Sequence, residues 1–130
     1  PPPPPPSPPP VGTTFYPMHG ACRDPAGAYG NRLDHGHTPI NVSACRAMCV
    51  QLGPKCDAFD IDGPAVPVGG DATVPWCGIW GEQLTTADQD VAAGFLFYSS
   101  TGGRVCRGDP SAGTGNTCYG RRPLCNTTTT

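Results

Sequence analysis

Eight cysteines in 130 residues constrain this chain more than any other feature of its sequence. Little else is available to hold a fold together, because 18 Gly and 18 Pro interrupt helices and strands and leave only a small apolar core. An even number of cysteines in such a chain is typical of a disulfide framework formed in an oxidising compartment. We therefore expect a secreted protein.

The cysteine spacing favours disulfides over zinc. No Cys-x-x-Cys pair occurs; the shortest spacings are three residues between Cys45 and Cys49, and six between Cys49 and Cys56 and between Cys118 and Cys125. Structural zinc sites commonly begin from a Cys-x-x-Cys pair. We therefore expect all eight cysteines to be bridged.

Two clusters of potential metal ligands are incomplete. Asp34-His35-Gly36-His37 offers two imidazoles, whereas Asp57, Asp60 and Asp62 lack the register and the distal Glu of a calcium loop. We expect a solvated turn for the histidines and a solvated outer strand face for Asp60 and Asp62. No metal and no cofactor is expected.

Charge and hydropathy limit the partners. The net charge is -2, so the chain has no basic surface that would neutralise a phosphate backbone. It contains no apolar run of the roughly 18 residues that a membrane-spanning helix requires. We expect neither a nucleic acid partner nor a membrane span.

The first ten residues, PPPPPPSPPP, predict a polyproline II rod, because proline fixes φ and lacks the N–H group that helices and sheets need. At about 3.1 Å per residue the rod is roughly 30 Å long. Its simplest interpretation is a semi-rigid spacer. At the other end, residues 126–130 form a Thr-rich terminus of a composition typical of O-glycosylated stalks.

One helix is predicted over residues 42 to 52. Asn41 is placed to cap its first turn, Gly53 to end it in a left-handed conformation, and Pro54 to prevent its continuation. One stripe carries both sulfurs and the largest apolar side chains, and we expect it to face the core: Cys45, Met48, Cys49 and Leu52.

Short strands are predicted at Lys55–Asp62, Trp76–Trp80 and Phe95–Ser99, with a weaker one near Ala28–Leu33. Together they predict an antiparallel sheet. The Gly- and Pro-rich interval from Gly63 to Pro75 predicts a long surface loop.

The order of these elements and cysteines resembles the PAN/apple domain. The resemblance covers about residues 22 to 106, and its most specific part is the helical Cys45-Arg-Ala-Met-Cys49 followed by Cys56-Asp-Ala-Phe59 entering a strand. Cys77 on a strand and Cys106 after the last strand complete it. Residues alone leave all 105 pairings of eight cysteines open.

The resemblance implies a pairing that the spacing cannot supply. It joins Cys45 to Cys77, Cys49 to Cys56, and Cys22 to Cys106, which leaves Cys118 with Cys125. We therefore predict a small disulfide-rich α+β fold, with one helix packed on a short antiparallel sheet (PAN/apple-like) and a polyproline II rod before it. The expected divisions are a polyproline II segment at 1–10, the PAN/apple-like domain at 11–106, a cysteine-containing tail at 107–125 and the Thr-rich terminus at 126–130.

Runs of proline punctuated by serine resemble the hydroxyproline-rich glycoproteins of green-algal and plant cell walls and extracellular fibres. The resemblance implies that the protein belongs to a cell wall, an extracellular matrix or a surface appendage. That resemblance implies hydroxylation and O-glycosylation at both ends of the chain, at Pro1, Pro2, Pro3, Pro4, Pro5, Pro6, Ser7, Pro8, Pro9, Pro10, Thr127 and Thr128. Two sequons add N-glycosylation sites at Asn41 and Asn126.

The predicted strand Trp76–Trp80 offers a candidate binding surface. Side chains alternate along a strand, so Cys77 and Ile79 share one face while Trp76 and Trp80 share the other. If Cys77 is bridged inward, both tryptophans point outward and form a platform for sugars or a proline ridge. The alternative is that the C-terminal tail covers them.

The remaining motifs do not indicate catalysis. Arg107-Gly108-Asp109 matches an integrin-type adhesion tripeptide, but three letters recur easily in a Gly-rich chain, and we do not expect adhesion through it. No nucleophile elbow or phosphate-binding loop is present, so we expect no enzyme. The hypothesis is a structural subunit of an extracellular glycoprotein fibre, wall or surface appendage, which assembles through its polyproline rod and glycans with other copies of itself or of a fibre protein. The alternative is a secreted carbohydrate- or protein-binding (lectin or adhesion) module that uses Trp76 and Trp80.

Overall fold

Ten strands and one helix make up the computed structural model, which describes residues 2–4, 14–67, 69–121 and 124–125. The helix α1 is Val42–Leu52, and two 3-10 turns cover Gly53–Lys55 and Thr86–Asp90. The strands are β1 Tyr16–His19, β2 Ala21–Arg23, β3 Arg32–Asp34, β4 Ile40–Asn41, β5 Ala58–Asp62, β6 Thr73–Val74, β7 Cys77–Trp80, β8 Leu96–Tyr98, β9 Arg107–Asp109 and β10 Asn116–Gly120.

Six of the strands form one antiparallel sheet in the order β1-β10-β5-β7-β3-β8. Two short ribbons, β2 with β9 and β4 with β6, lie outside it. The helix packs on one side of this sheet, so the predicted small disulfide-rich α+β fold is confirmed at that level. Within the described part of the chain, no helix has the length and apolarity needed to cross a membrane.

The expectations for the two ends fall largely outside the described residues. Pro2, Pro3 and Pro4 are exposed and belong to no helix or strand. Pro1, residues 5–10, and Asn126, Thr127 and Thr128 are not among the described residues. The polyproline rod and its modifications therefore stay predictions.

The main core lies between α1 and the sheet. Leu33, Ile79, Phe59 and Tyr119 are cross-strand neighbours along one level of the sheet and are all buried. The predicted stripe of α1 meets them with Cys45, Cys49 and Leu52 buried, whereas Met48 is half-buried. We call this side of the sheet the helix face.

The helix α1 begins where the sequence predicts, but a different residue caps it. The Asn41 side chain makes no cap hydrogen bond; its Oδ1 accepts from Thr73 Oγ1 at 3.0 Å. Asp71, in the predicted 63–75 loop, takes that role, and its Oδ1 accepts from the Ser43 N–H at 3.0 Å. Its hydrogen bonds from the Ser43 hydroxyl and amide hold the pKa of Asp71 below its ordinary value.

A buried arginine holds the other end of α1. Gly53 ends the helix as predicted, but with φ of 64° and ψ of -138°, a positive-φ conformation open to glycine that differs from the expected left-handed helical one. Arg121 donates from Nη1 to the Gly53 carbonyl at 2.8 Å and from Nη2 to the Cys49 carbonyl at 2.9 Å. Its cation complements the negative end of the helix dipole, although burial lowers the pKa of its guanidinium.

The structure contains four disulfides, and two of them differ from the expected pairing. Cys45 bonds Cys77 and Cys49 bonds Cys56, as the PAN/apple resemblance implies. Cys22 bonds Cys118, not Cys106, because β2 lies over the sheet beside β10, where the two Cα atoms are 5.0 Å apart. Cys106 then bonds Cys125. Four bridges indicate a secreted or extracellular protein.

The segment expected to be a cysteine-containing tail, residues 107–125, supplies two strands, β10 in the six-stranded sheet and β9 in one of the ribbons. β10 lies between β1 and β5 in the sheet order, and β9 pairs with β2. Tyr119 of β10 stacks on Phe59 with ring centroids 4.8 Å apart. The sequence of β10 gave no strand signal because Asn116-Thr117-Cys118-Tyr119-Gly120 is mostly small and polar and follows a Gly-rich turn.

The predicted strands are present but shorter. β5 begins only at Ala58 because Gly53–Lys55 continue the end of α1 as a 3-10 turn. β3 begins at Arg32, four residues after the start of the predicted segment. One hydrogen bond continues the pairing with β7 just before the start of each strand: the Gly81 N–H donates to the Asn31 carbonyl and the Asp57 N–H to the Trp80 carbonyl.

The pairing can be checked by mapping the disulfides of the oxidised protein after trypsin cleavage. Cleavage after Arg and Lys separates Cys22, Cys106, Cys118 and Cys125 into different peptides, of residues 1–23, 105–107, 108–121 and 122–130. We expect the first peptide to be linked to the third, and the second to the fourth. Linkage of 1–23 to 105–107 would restore the pairing implied by the PAN/apple resemblance and contradict this structure.

Candidate functional site

The sheet has a second buried face, on the side opposite α1. The predicted alternation along β7 is confirmed, with Cys77 and Ile79 in the core with α1 and Trp80 in a separate cluster. That cluster is covered by Cys22 of β2 and by Val105, so Trp80 is only 1% exposed. The expectation that Trp80 points into solvent is wrong, because the sheet is covered on both sides.

A carboxylic acid lies at the centre of this second face. Asp60 is fully buried, and its Oδ1 accepts from Trp80 Nε1–H at 2.7 Å while its Oδ2 accepts from the Cys22 N–H at 3.2 Å. Burial raises the pKa of Asp60 to about 7, against the opposing effects of these hydrogen bonds and of Arg23 and Arg32. The expectation that Asp60 solvates an outer strand face is therefore wrong, whereas Asp62 is exposed.

Trp76 is held flat against the sheet and does not form a platform with Trp80. Its Nε1–H donates to Asp34 Oδ1 at 2.6 Å, and its ring lies over Gly78. A Cβ atom at Gly78 would come within 2.5 Å of the Trp76 ring and 2.9 Å of Asp60 Oδ1, so only glycine fits there. Of the predicted pair, Trp76 is therefore half-buried and Trp80 is fully buried.

An open groove does form at the β8 edge of this face. Tyr98, Arg32 and Trp80 are cross-strand neighbours on β8, β3 and β7. The Arg32 guanidinium carbon lies 5.0 Å from the Tyr98 ring centroid and 5.5 Å from that of Trp80, and Tyr29 stacks on Trp80 at 6.0 Å. The groove has a volume of about 360 Å³ and is lined by Tyr29, Gly30, Arg32, Trp80, Tyr98, Ser99 and Ser100. We call it the tyrosine groove.

The two tyrosines are the solvent-facing walls of the tyrosine groove. Tyr29 is 50% exposed and Tyr98 46%, a large area of aromatic surface for a chain with few aromatic residues. Below Tyr29, the guanidinium carbon of Arg23 lies 3.9 Å from the ring centroid. Aromatic rings with an accessible face and an adjacent arginine are typical of binding surfaces.

The walls are fixed by hydrogen bonds behind them. Ser100 Oγ donates to the Tyr29 carbonyl at 2.7 Å, and the Ser100 N–H donates to Asn31 Oδ1 at 2.8 Å. Asn31 in turn donates to the Leu84 carbonyl at 3.1 Å. Gly102 lies so close to the Tyr29 carbonyl that no Cβ atom fits between them. A ligand would therefore meet walls that are already in place.

The polar side chains of the tyrosine groove are richer in donors than in acceptors. The one nearby carboxylate, Asp34, is committed: Oδ1 accepts from Gly36 N–H and Trp76 Nε1–H, and Oδ2 lies 3.5 Å from Arg32 Nη2. Arg32 offers N–H groups only; its Nε–H is buried without an acceptor among the described residues, and its side chain as a whole is 30% exposed. Such a site suits a ligand that presents acceptors.

The other motifs of the sequence do not form sites. Arg107-Gly108-Asp109 is the strand β9, paired with β2, and Arg107 Nη2 lies 3.8 Å from Asp109 Oδ2 instead of projecting from a loop. Among the described residues, no three His, Cys, Asp or Glu side chains are grouped as metal ligands. His35 is tied by Nδ1 to the Thr38 carbonyl. Asn41 is exposed at the start of α1, so the folded chain leaves room for a glycan there.

A larger depression beside β1 is less informative than the tyrosine groove. It measures about 520 Å³ and is lined by Pro17, Met18, Pro64 and Ala65 among others. Its one titratable side chain, His19, is hydrogen-bonded through Nε2 to the Thr114 carbonyl at 2.8 Å. Specific small-molecule sites usually combine apolar walls with several converging polar groups, which this depression lacks.

Comparison with protein-family models, with curated proteins and with solved structures gave no match to this chain. The candidate site therefore rests on geometry alone. Sequence reasoning missed Tyr29 and Tyr98 because each lies in a short, weakly patterned segment. The one available signal was the position of Tyr98. It lies in a predicted strand, where an aromatic residue at the outward-facing position invites an explanation.

We predict that Asp60 makes stability depend on pH. Its pKa in the folded protein is about 7, against an ordinary 3.8, so between these values the folded chain holds a proton that the unfolded chain releases. The unfolding free energy should then fall as pH rises, by at most about 1.4 kcal/mol per pH unit, until the contribution is lost above about pH 7. Denaturant unfolding followed by tryptophan fluorescence from pH 5 to 8 measures this slope.

Asp60→Asn should flatten that slope. The amide still accepts from Trp80 Nε1–H but faces the Cys22 N–H with a second donor, which costs about 1 kcal/mol at low pH. Asp62→Asn is the control. Asp62 is exposed and lies two residues after Asp60 on β5, so this variant should keep the slope of the parent protein. Equal slopes in all three proteins would show that Asp60 does not titrate in this range.

Proposed function

We propose that this protein is an assembly subunit of an extracellular glycoprotein fibre, wall or surface appendage. The observation that carries the proposal is the pairing, in one chain, of a polyproline segment with a disulfide-locked domain whose exposed aromatic groove is already organised. A rod and a rigid docking unit are the two parts that repeated assembly needs. The chain acts without catalysis in this proposal.

The domain is, in this proposal, a variant of the PAN/apple fold. Support comes from the helix Cys45-x3-Cys49 packed on an antiparallel sheet, with bridges from Cys45 to Cys77 and from Cys49 to Cys56. The variant departs from the expected pattern at Cys22, which bonds a strand that lies beyond the segment of resemblance. Through this bridge β2 lies over the second face of the sheet, where Cys22 and Val105 pack in one cluster with Trp80, a lining residue of the tyrosine groove.

The polyproline segment supplies the fibrous character. Its composition resembles that of hydroxyproline-rich wall glycoproteins, in which hydroxylated and glycosylated prolines stiffen an already extended chain. Residues 1–10 and the Thr-rich terminus are the proposed sites of O-glycosylation. Asn41 and Asn126 are the proposed sites of N-glycosylation.

Glycan binding is the second candidate function. Tyr29 and Tyr98, not Trp76 and Trp80, would carry it, since their exposed rings offer the stacking surfaces that sugars use. Binding on a glycan array that is lost in Tyr98→Ala and kept in Leu96→Ala would favour this function. Leu96 is a suitable control because it lies two residues away on β8, is 60% exposed and does not line the groove.

The assembly function predicts that the polyproline segment is needed for incorporation and not for folding. Full-length chain in which residues 1–10 are replaced by an equal length of Gly and Ser should be secreted with all four disulfides but recovered in the soluble medium. The parent chain should be recovered in the insoluble extracellular fraction. The host must be a cell that builds hydroxyproline-rich extracellular material.

Mass spectrometry of the incorporated protein gives the second readout. Pentose or hexose masses on residues 1–10 support a wall or fibre glycoprotein. Incorporation of the Gly/Ser variant at the level of the parent would show that the segment is only a spacer and would contradict the assembly function.

A further inference from the structure

The tyrosine groove is the one surface of the described chain that combines exposed aromatic walls, a fixed backbone and uncommitted hydrogen-bond donors. We propose that it binds the polyproline segment, residues 1–10, of a second copy of this chain. This inference rests on the proposed assembly function and names the contact by which one subunit would hold the next.

The chemistry of the groove favours polyproline over sugar. A polyproline II backbone presents carbonyl acceptors that have no internal partners, and it has no N–H donors. Arg32 brings donors and no acceptor, while the Asp34 carboxylate is already bound by Gly36, Trp76 and Arg32. Sugar hydroxyls also bring donors, for which the lining side chains offer only the hydroxyl oxygens of Tyr29, Tyr98, Ser99 and Ser100 as acceptors, so sugar is the poorer match.

The spacing of the strands that carry the groove fits the same ligand. Trp80, on which Tyr29 stacks, and Tyr98 lie on β7 and β8, either side of Arg32 on β3. Two strand spacings separate these rows by about 9.6 Å. One turn of polyproline II rises about 9.3 Å, so prolines three residues apart match the spacing of the two strands that carry Trp80 and Tyr98, with Arg32 between them.

The described chain resumes at the sheet edge opposite the groove. Thr14 and Phe15 lie beside β1, and Phe15 packs on the helix face against Phe59, with ring centroids 5.0 Å apart. The groove lies at β8, five strands away and on the second face. The two edges are about 24 Å apart, so the groove is well separated from the residue at which the chain after the polyproline segment joins the sheet.

A contact between two different surfaces of identical subunits is heterologous, and unless it closes into a ring it continues as an open chain. This is the geometry of a fibre. Addition of a strand at β8 is a poorer explanation of the exposed edge, because the outward N–H of Phe97 is already bonded to Gln89 Oε1 at 2.6 Å. The aromatic face beside that edge, not its backbone, is what remains to be covered.

The test uses the full chain, oxidised and unmodified, in sedimentation velocity over a range of concentrations. We expect reversible self-association that is weakened about tenfold or more in Tyr29→Ala/Tyr98→Ala, which removes both walls. Leu96→Ala, an exposed apolar residue of β8 outside the groove, is the matched control and should associate like the parent. Disulfide mapping and circular dichroism show that each variant is folded.

Mixing two defective chains separates this contact from any other. One chain carries Tyr29→Ala/Tyr98→Ala and keeps its polyproline segment; the other keeps its groove and has residues 1–10 replaced by Gly and Ser. Neither should associate alone, but together they should form a 1:1 complex, because only one segment and one groove are intact. The synthetic peptide PPPPPPSPPP should compete for that complex, and a Gly/Ser peptide of equal length should not.

Three results would overturn the inference. Absence of the mixed complex with both chains folded would show that the groove does not take the segment. Association that ignores the tyrosine substitutions would place the contact elsewhere, and peptide binding with a monomeric parent at every concentration would make the contact intramolecular. Glycan binding lost in Tyr98→Ala, with no peptide binding, would assign the groove to sugar.

The inference and the proposed function fail separately. If the mixed complex does not form but the parent chain still enters the extracellular fibre, the tyrosine groove is not the contact and the assembly function stands. If the mixed complex forms but the chain stays soluble in the host, the contact is real and the assembly function is wrong.

Discussion

The disulfide between Cys22 and Cys118 determines how the second face of the sheet is built. It holds β2 over β10, and in that position the Cys22 N–H reaches Asp60 Oδ2 while Asp60 Oδ1 accepts from Trp80 Nε1–H. The bridge closes a separation of 96 residues, the longest of the four. In the chain-entropy account a loop of about that length restricts the unfolded state most, by roughly 4.7 kcal/mol.

The same connections place the tyrosine groove. Asp60 fixes Trp80 by accepting its Nε1–H, and Tyr29 stacks on Trp80 with ring centroids 6.0 Å apart. Arg32 lies next to Trp80 in the sheet, so the groove takes its floor from buried residues and its walls from exposed ones. The buried acid, the long-range bridge and the binding surface therefore form one connected unit, and a change at Asp60 should reach the groove through Trp80.

Local signals predicted the elements on the helix face well. Gly53 and Pro54 mark the end of α1 unambiguously, and the apolar stripe of Cys45, Cys49 and Leu52 follows from helical periodicity. The second face was not predictable in the same way. Its cover consists of β2, β9 and the segment around Val105, which are three residues long or irregular. Cys22 of β2 is bridged to β10, where Thr117 and Tyr119 are the strand-favouring residues and Asn116 and Gly120 oppose them.

The sequence by itself determined a small disulfide-held α+β domain, the bounds of its helix and a polyproline segment, because cysteine count, helix punctuation and proline geometry act locally. The tertiary structure alone decided that Asp71 and Arg121 hold the ends of α1, that Cys22 meets Cys118, and that Trp80 is buried while Tyr29 and Tyr98 are exposed. These contacts join residues far apart in the chain, and alternation along a strand tells which side a residue takes but not whether that side is covered.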